Sequence, residues 1–270
     1  MRNDFIYIEG NVPYYKSRLF DSFGVRHAFF TRNGGVSKAP FDSLNFALGA
    51  GDIKDSEENL MQNYAIAANV FGLEKEDVCR TYQTHTATVV YADENERGRG
   101  ISFPNFDYGV DGLVTDKKDL LLSVRTADCV PILFYDTNAN ICGAVHAGWR
   151  GAVGLIAKNA IELMEKLGAK RENILAAIGP CIGECCYEVG GEVRDEFMKL
   201  DNKYSSFFKP QNDKFMLDLT GVNEAILIDI GIKPENISSA DICTKCNGDK
   251  FFSHRRNGVN RGTMSSFICI

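Results

Sequence analysis

The chain has 270 residues, 44% of them hydrophobic, and a formal net charge of −6. That is enough apolar material for a full core; the negative balance excludes the basic footprint of a nucleic-acid-binding protein, and no run approaches the roughly 18 apolar residues of a membrane helix. Nine unevenly spaced cysteines argue against a secreted disulfide framework and for a reducing compartment, and the start Met1-Arg2-Asn3-Asp4-Phe5-Ile6 lacks the h-region of a secretory signal, so the expected location is cytoplasmic.

In chain order, residues 25–31 form an apolar run that reads as a strand. It ends in the turn-rich segment Arg32-Asn33-Gly34-Gly35, a loop reaching to Leu44. Ser56 is placed to cap a helix over 57–71, with Leu60, Tyr64, Ala67, Ala68 and Phe71 on one face and Gly72 as its stop. Residues 78–83 and 88–92 are predicted strands on either side of His85. Residues 93–110 are polar and glycine-bearing and read as loop. Strands follow at 120–124, 131–135 and 141–145, the last two joined by the hairpin turn Asp136-Thr137-Asn138-Ala139-Asn140. A helix over 152–167, stopped by Gly168, returns as a strand at 174–178. Further helices are predicted at 189–200 and 219–230, and from Ile237 onward the chain reads as short strands and loops. Strands and helices alternate with hairpins between them, which predicts one α/β domain over 1–270, a mixed-sheet α/β sandwich.

Three segments carry chemistry: Tyr82-Gln83-Thr84-His85, Ala127-Asp128-Cys129-Val130-Pro131-Ile132 and Ala144-Val145-His146-Ala147-Gly148-Trp149-Arg150-Gly151. They offer one thiol and two imidazoles at the ends of apolar runs. A hairpin brings the ends of two adjacent strands together, although spacing does not fix the register. His85, Cys129 and His146 would hold a zinc ion with three protein ligands and one open position, the catalytic arrangement rather than the closed structural one. Taken singly, a buried cysteine is more often a small hydrophobe and a strand-end histidine more often a hydrogen-bonded one. The small-residue turn after His146 favours the ligand reading, because it lets backbone approach a bound group and aims helix-start N–H groups at it.

These stretches, with Phe30-Thr31-Arg32-Asn33-Gly34-Gly35-Val36-Ser37, Ser43-Leu44-Asn45, Asp111-Gly112-Leu113-Val114-Thr115, Ile178-Gly179-Pro180-Cys181-Ile182, Tyr187-Glu188-Val189-Gly190, Phe252-Ser253-His254-Arg255-Arg256 and Gly262, resemble the laccase-domain family, the bacterial YfiH-like proteins. The resemblance runs from about residue 20 to the C-terminus. It implies a mixed α/β sandwich, zinc at His85, Cys129 and His146, and phosphorolysis of purine nucleosides (adenosine, inosine, methylthioadenosine) with adenosine deamination. Copper at such a site is an incidental occupant, since divalent copper outranks zinc in intrinsic affinity.

For that chemistry, Arg32 and Arg150 are the expected phosphate ligands, against the alternative of solvated surface arginines; Arg255 and Arg256 are weaker candidates, and adjacent strand positions would let only one of them face a site. Asn45 offers both a donor and an acceptor to a ribose hydroxyl or base edge, or else satisfies its own turn. Gln83 lies near enough to His85 to touch substrate. Trp149 is expected either to stack on a purine or to pack in the core. Asp128 reads as a general acid/base or an acceptor behind the ligands, Asp111 as a turn residue. Cys243-Thr244-Lys245-Cys246 has the spacing of half a structural zinc site, with Cys269 and His254 as conceivable partners, but a lone pair is a weak signal; Cys181, Cys185 and Cys186 read as buried thiols around a Gly-Pro turn. Competing functions are a cysteine hydrolase with Cys129 as nucleophile and His146 as base, a copper phenol oxidase, and a non-enzymatic interaction protein. The chain leaves monomer and homodimer open.

Overall fold

The computed structural model describes residues 4–270. Its elements, in order, are β1 (Phe5–Ile8), β2 (Tyr14–Ser17), α1 (Arg18–Ser22), β3 (Arg26–Phe30), α2 (Glu57–Asn69), β4 (Val78–Arg80), β5 (Val89–Tyr91), β6 (Gly112–Thr115), β7 (Leu121–Thr126), β8 (Val130–Asp136), β9 (Ile141–Ala147), α3 (Trp149–Val153) and α4 (Ile156–Lys166). There follow β10 (Ile174–Ile178), β11 (Glu188–Val189), α5 (Gly191–Leu200), β12 (Phe208–Gln211), β13 (Lys214–Leu217), α6 (Leu219–Asp229), β14 (Ile237–Ser239), α7 (His254–Asn257) and β15 (Met264–Cys269).

Two six-stranded mixed sheets carry the fold, in the orders β1-β2-β3-β15-β7-β4 and β14-β10-β8-β9-β6-β5; β11, β13 and β12 form a small third sheet. Period-two alternation decides what each face meets. In β8, Val130, Ile132 and Phe134 face the helical side, while Leu133 faces the first sheet. Leu122, Val124 and Ile268 of the first sheet meet Leu113, Leu133, Ala144, Leu175 and Ala177 of the second, so the sheets pack face to face over an apolar middle layer. The outer face of the first sheet, with Ala28, Phe30, Leu121 and Phe267, packs on the α2 residues Leu60, Tyr64, Ala67 and Ala68. The outer face of the second sheet is covered by residues of α4, α5 and α6, among them Ile161, Phe197 and Ile226. The result is the mixed-sheet α/β sandwich that the pattern predicts.

Ser56 caps α2 by accepting the Asn59 N–H at 3.0 Å, and Gly72 ends the helix region at φ +71°. The predicted β8–β9 hairpin forms, and its register pairs Pro131 with His146 and Val130 with Ala147. Three expectations are corrected. The helix expected over 152–167 is two helices, α3 and α4, because Leu155 takes a left-handed conformation at φ +57° after Gly154. Residues 112–115, noted only as part of a motif, form the fully buried strand β6. The C-terminal region is short strands and loops as expected except for the helix α7, and its strand β15 lies between β3 and β7 in the first sheet.

Candidate metal centre

Two connections switch the chain from one sheet to the other at the same end of the sandwich. Residues 81–88 leave β4 in the first sheet and enter β5 in the second; residues 127–129 leave β7 in the first and enter β8 in the second. Each contains a residue in left-handed backbone, His85 at φ +63° and Asp128 at φ +98°. Such conformations cost roughly 1–3 kcal/mol for a non-glycine residue and persist where the surroundings hold them. His85 sits within the first switch, Cys129 is the last residue of the second, and His146 lies at the open end of the β8–β9 hairpin.

The ligating atoms of His85, Cys129 and His146 all lie within 4.8 Å of one another. Cys129 Sγ is 4.0 Å from His85 Nε2, and the two imidazole rings meet edge to face with centroids 4.9 Å apart. Gly148 forms the wall opposite Cys129: a Cβ there would lie 2.9 Å from Cys129 Sγ and 3.4 Å from His85 Cδ2. This supplies a reason for glycine at 148 other than backbone freedom, since the side chain would fill the space between the ligating atoms.

Behind the cluster is Asp111, which is fully buried. Its carboxylate accepts the backbone N–H groups of Thr84, His85 and Thr86 at 3.1, 3.1 and 2.9 Å, the Thr86 hydroxyl at 2.8 Å, and His146 Nδ1 at 2.7 Å. One side chain therefore fixes both the left-handed His85 turn and the orientation of His146, and leaves His146 Nε2 to face the cluster. A carboxylate on the far nitrogen of a ligating histidine is the usual outer partner of a metal site. Burial alone would raise the Asp111 pKa, but the His146 contact and the backbone donors outweigh it and bring it to about 2. The turn reading of Asp111 is thus corrected.

Burial also opposes the thiolate of Cys129, yet the neighbouring His146 charge, with hydrogen bonds from His146 and His85, brings the thiol down to about 6. His146 moves the other way, to about 9: burial disfavours its cation, and Cys129 and Asp111 overcome that. The two shifts have one cause, since each group favours the charged form of the other. Two imidazole nitrogens and one thiolate sulfur, so spaced and backed by a carboxylate, fit a divalent ion of the zinc class.

The other expected site residues fare differently. Asp128 accepts the Thr244 and Ser253 hydroxyls at 2.7 and 3.1 Å and the Arg255 N–H at 2.6 Å, so its carboxylate ties the Cys129 turn to the 244–255 segment. These contacts suit a positioning residue rather than an acid/base. Arg32 has all three guanidinium nitrogens engaged, on the carbonyls of Asp42 and Gly248 and the Asp42 carboxylate, and stacks over Phe252. Asn45 is buried, bonded to Ala47, Asp55 and the Thr263 N–H. Gln83 clamps the Arg125 backbone through both ends of its amide. The polar atoms of these three are engaged within the protein, which for Asn45 is the turn-satisfying alternative. Trp149 packs on the core, with the exposed Arg150 guanidinium 4.2 Å from its ring centroid. The helix start after His146 is weaker than expected, since α3 has 5 residues. Arg255 and Arg256 lie on a short helix, not a strand, and diverge: Arg255 crosses Tyr187, while Arg256 holds the carbonyls of Thr244, Lys245 and Phe251.

Sequence reasoning missed a group of cations. The Nε atoms of Arg80, Arg125 and Arg261, and the Thr263 hydroxyl, are buried with no hydrogen-bond partner among the described residues. Burial, and then Arg80 and Arg261 beside it, lower the Arg125 pKa from its ordinary value against the pull of Tyr64 and Asp111. Arg261 is likewise lowered by burial while the charges of Asp128 and Cys129 oppose the shift. Arg80 and Arg261 both act on Arg125, and Arg261 feels the Cys129 charge, so these unpartnered donors are the kind an anion takes up. Their separation along the chain hid them.

Comparison with known proteins gives the wider context. A family model described as multi-copper polyphenol oxidoreductase laccase matches residues 26–270. The purine nucleoside phosphorylase YlmD of Bacillus subtilis is 35% identical over 246 residues, covering 89% of this chain and 86% of the relative. A protein named adenosine deaminase RL5, from an unknown prokaryotic organism, is 36% identical over 239 residues, covering 87% and 90%. The crystal structure of YlmD from Geobacillus stearothermophilus superposes with a TM-score of 0.91 at 32% identity, over 99% of this chain and 98% of that one.

Proposed function

The chain belongs to the family described as multi-copper polyphenol oxidoreductase laccase, and on that premise we propose that it is a zinc-dependent purine nucleoside phosphorylase with adenosine deaminase activity. It converts adenosine, inosine or methylthioadenosine, with phosphate, to the free base and the sugar 1-phosphate; with water, adenosine gives inosine and ammonia. The observation that carries this reading is the convergence of His85, Cys129 and His146 in front of Asp111. The phosphorylase and deaminase names of the relatives support it.

His85, Cys129 and His146 hold the metal, and Asp111 fixes the His146 tautomer and the His85 turn. When bound, zinc supplies Lewis acidity, enough in known sites to bring a water's pKa to roughly 7. Asp128 acts at one remove by securing the turn before Cys129. Arg125 and Arg261, with Arg80 and Thr263, take over the phosphate role first assigned to Arg32, because they have unpartnered buried donors and Arg32 has none free. They hold the anion where the sugar's C1′ develops positive charge as the glycosidic bond breaks. Arg150 remains available at the mouth, beside Trp149. We place the protein in the cytoplasm, supported by nine cysteines of which none is in a disulfide among the described residues. We read residues 1–270 as one domain. All three ligands come from one chain, a geometry compatible with either a monomer or a homodimer.

One feature favours a second reading. Cys129, His146 and Asp111 are also the parts of a thiol hydrolase, nucleophile, base and orienting carboxylate. His85 argues against it, since a dyad has no use for a second imidazole held in strained backbone. A copper oxidase of several metal ions needs more imidazoles than the 4 here, one of which, His27, is buried on Ser17 and Val25.

The test is chromatography of adenosine incubated with zinc-loaded protein. Adenine and ribose 1-phosphate should appear only with phosphate, inosine with or without it, and both should vanish in Cys129→Ala while the variant's melting curve stays cooperative. Undiminished turnover in Cys129→Ala sinks the shared metal site.

A further inference from the structure

Apart from the ligands above, a second group of side chains converges. Cys185, Cys186, Cys243 and Cys246 bring four sulfurs within 4.8 Å of one another. The separations are 3.7 Å for Cys185–Cys186, 3.7 Å for Cys185–Cys246 and 3.5 Å for Cys186–Cys246. A disulfide holds its sulfurs at about 2.05 Å. Four thiolates around one zinc, each about 2.3 Å from it, form a tetrahedron with edges of about 3.8 Å. The observed distances match the tetrahedron.

We infer that these four cysteines form a structural zinc site, closed by protein ligands and separate from the His/Cys cluster. Two tight turns supply the ligands. In one, the N–H groups of Cys186 and Tyr187 close on the Gly183 carbonyl at 2.9 and 3.1 Å; in the other, the Asn247 N–H closes on Cys243 at 3.2 Å. The backbone N–H groups of Gly183 and Cys246 also point at the Cys243 sulfur. Gly183 has no side chain to intrude: a Cβ there would lie 3.1 Å from Cys243 Cβ and 3.4 Å from Cys185 Sγ. The turns are already joined by a parallel backbone β-bridge between residues 181 and 243 and by the Thr244 N–H on the Cys181 carbonyl at 2.9 Å.

Four sulfur ligands and no open position suit zinc in a structural role. The site clips two loops that wall the first centre. One leads directly to Tyr187; the other carries Thr244, which anchors Asp128. Cys243 and Cys246 thus find partners, but not Cys269, which is buried in β15, nor His254 on α7. Cys185 and Cys186 are not buried thiols, being exposed and half-buried.

The experiment uses the full chain in its Cys129→Ala form, which removes the first centre's thiolate. Anaerobic titration with cobalt(II) should give one equivalent of tetrahedral tetrathiolate spectrum, with intense visible bands and sulfur-to-cobalt charge transfer, bleached by zinc. Adding Cys185→Ser and Cys246→Ser should abolish it. In parallel, elemental analysis of the unsubstituted protein should find two zinc per chain. A colourless titration, or a disulfide among these four cysteines in protein alkylated at lysis, overturns the proposal. Loss of the spectrum counts in its favour only if the variant remains folded by circular dichroism. Because the cobalt readout is spectroscopic, it stands whether or not the phosphorylase reading survives.

Discussion

Asp111 shows how one carboxylate organises a site built from distant segments. Its contacts run to three consecutive residues of the 84–86 turn and to His146. Replacement by Asn keeps the size but loses the charge that holds the His146 Nδ1 proton. Asp111→Asn should therefore weaken zinc binding by about 10–100-fold, as measured by competition with a chromophoric chelator; unchanged affinity contradicts the positioning role. Arg261 makes a second case. Its Nε is buried without a partner, and the Cys129 charge acts on it. Arg261→Ala should raise the KM for phosphate at least tenfold while leaving adenosine deamination within about twofold, on the scale of a lost charge-assisted contact. Equal losses in both reactions contradict a phosphate role. His85, Cys129 and His146 were legible in the sequence because each is a thiol or imidazole beside a predicted strand. Asp111 was not, because Asp-Gly after a valine is also a turn signature. The arginines were not, because isolated cations give no pattern until strand pairing sets β4 and β7 side by side.

At the scale of elements, the strongly patterned ones were readable: α2 with its serine cap, the β8–β9 hairpin, β10 and α6. The break between α3 and α4 was not, since the apolar periodicity runs through it. The strand β3 carries a pH-sensitive group. His27 is buried, accepts the Ser17 N–H at 2.9 Å, and has its other nitrogen 2.8 Å from the Val25 carbonyl. Burial disfavours its cation and lowers its pKa from 6.5 to about 4. Below pH 6.5 the unfolded chain binds the proton that the folded chain refuses, so stability rises with pH across this window. The contribution is complete above pH 6.5 and falls by about 3 kcal/mol as pH drops to 4, at 1.36 kcal/mol per pKa unit. Urea unfolding of the native protein and His27→Gln between pH 7 and 4 should show the steeper decline in the native protein. Parallel profiles would place the proton elsewhere.

For the whole molecule, composition and alternation announced an α/β sandwich, but not the path of the chain between its sheets. That path makes the site. Two connections leave the first sheet for the second at one end, each through a left-handed residue, and the hairpin's open end delivers His146 beside them. Sequence distance conceals such convergence, as it concealed the pairing of the 185–186 and 243–246 turns. The apolar layer between the sheets fixes the geometry, because a shift of either sheet would disturb packed, fully buried side chains such as Leu122 and Leu133. The most direct measurement is a crystal of the zinc-loaded protein with diffraction collected at the zinc edge. The account predicts an anomalous peak roughly 2.0–2.1 Å from a nitrogen of both His85 and His146 and about 2.3 Å from Cys129 Sγ. A fully loaded crystal with no peak among these three side chains would contradict it.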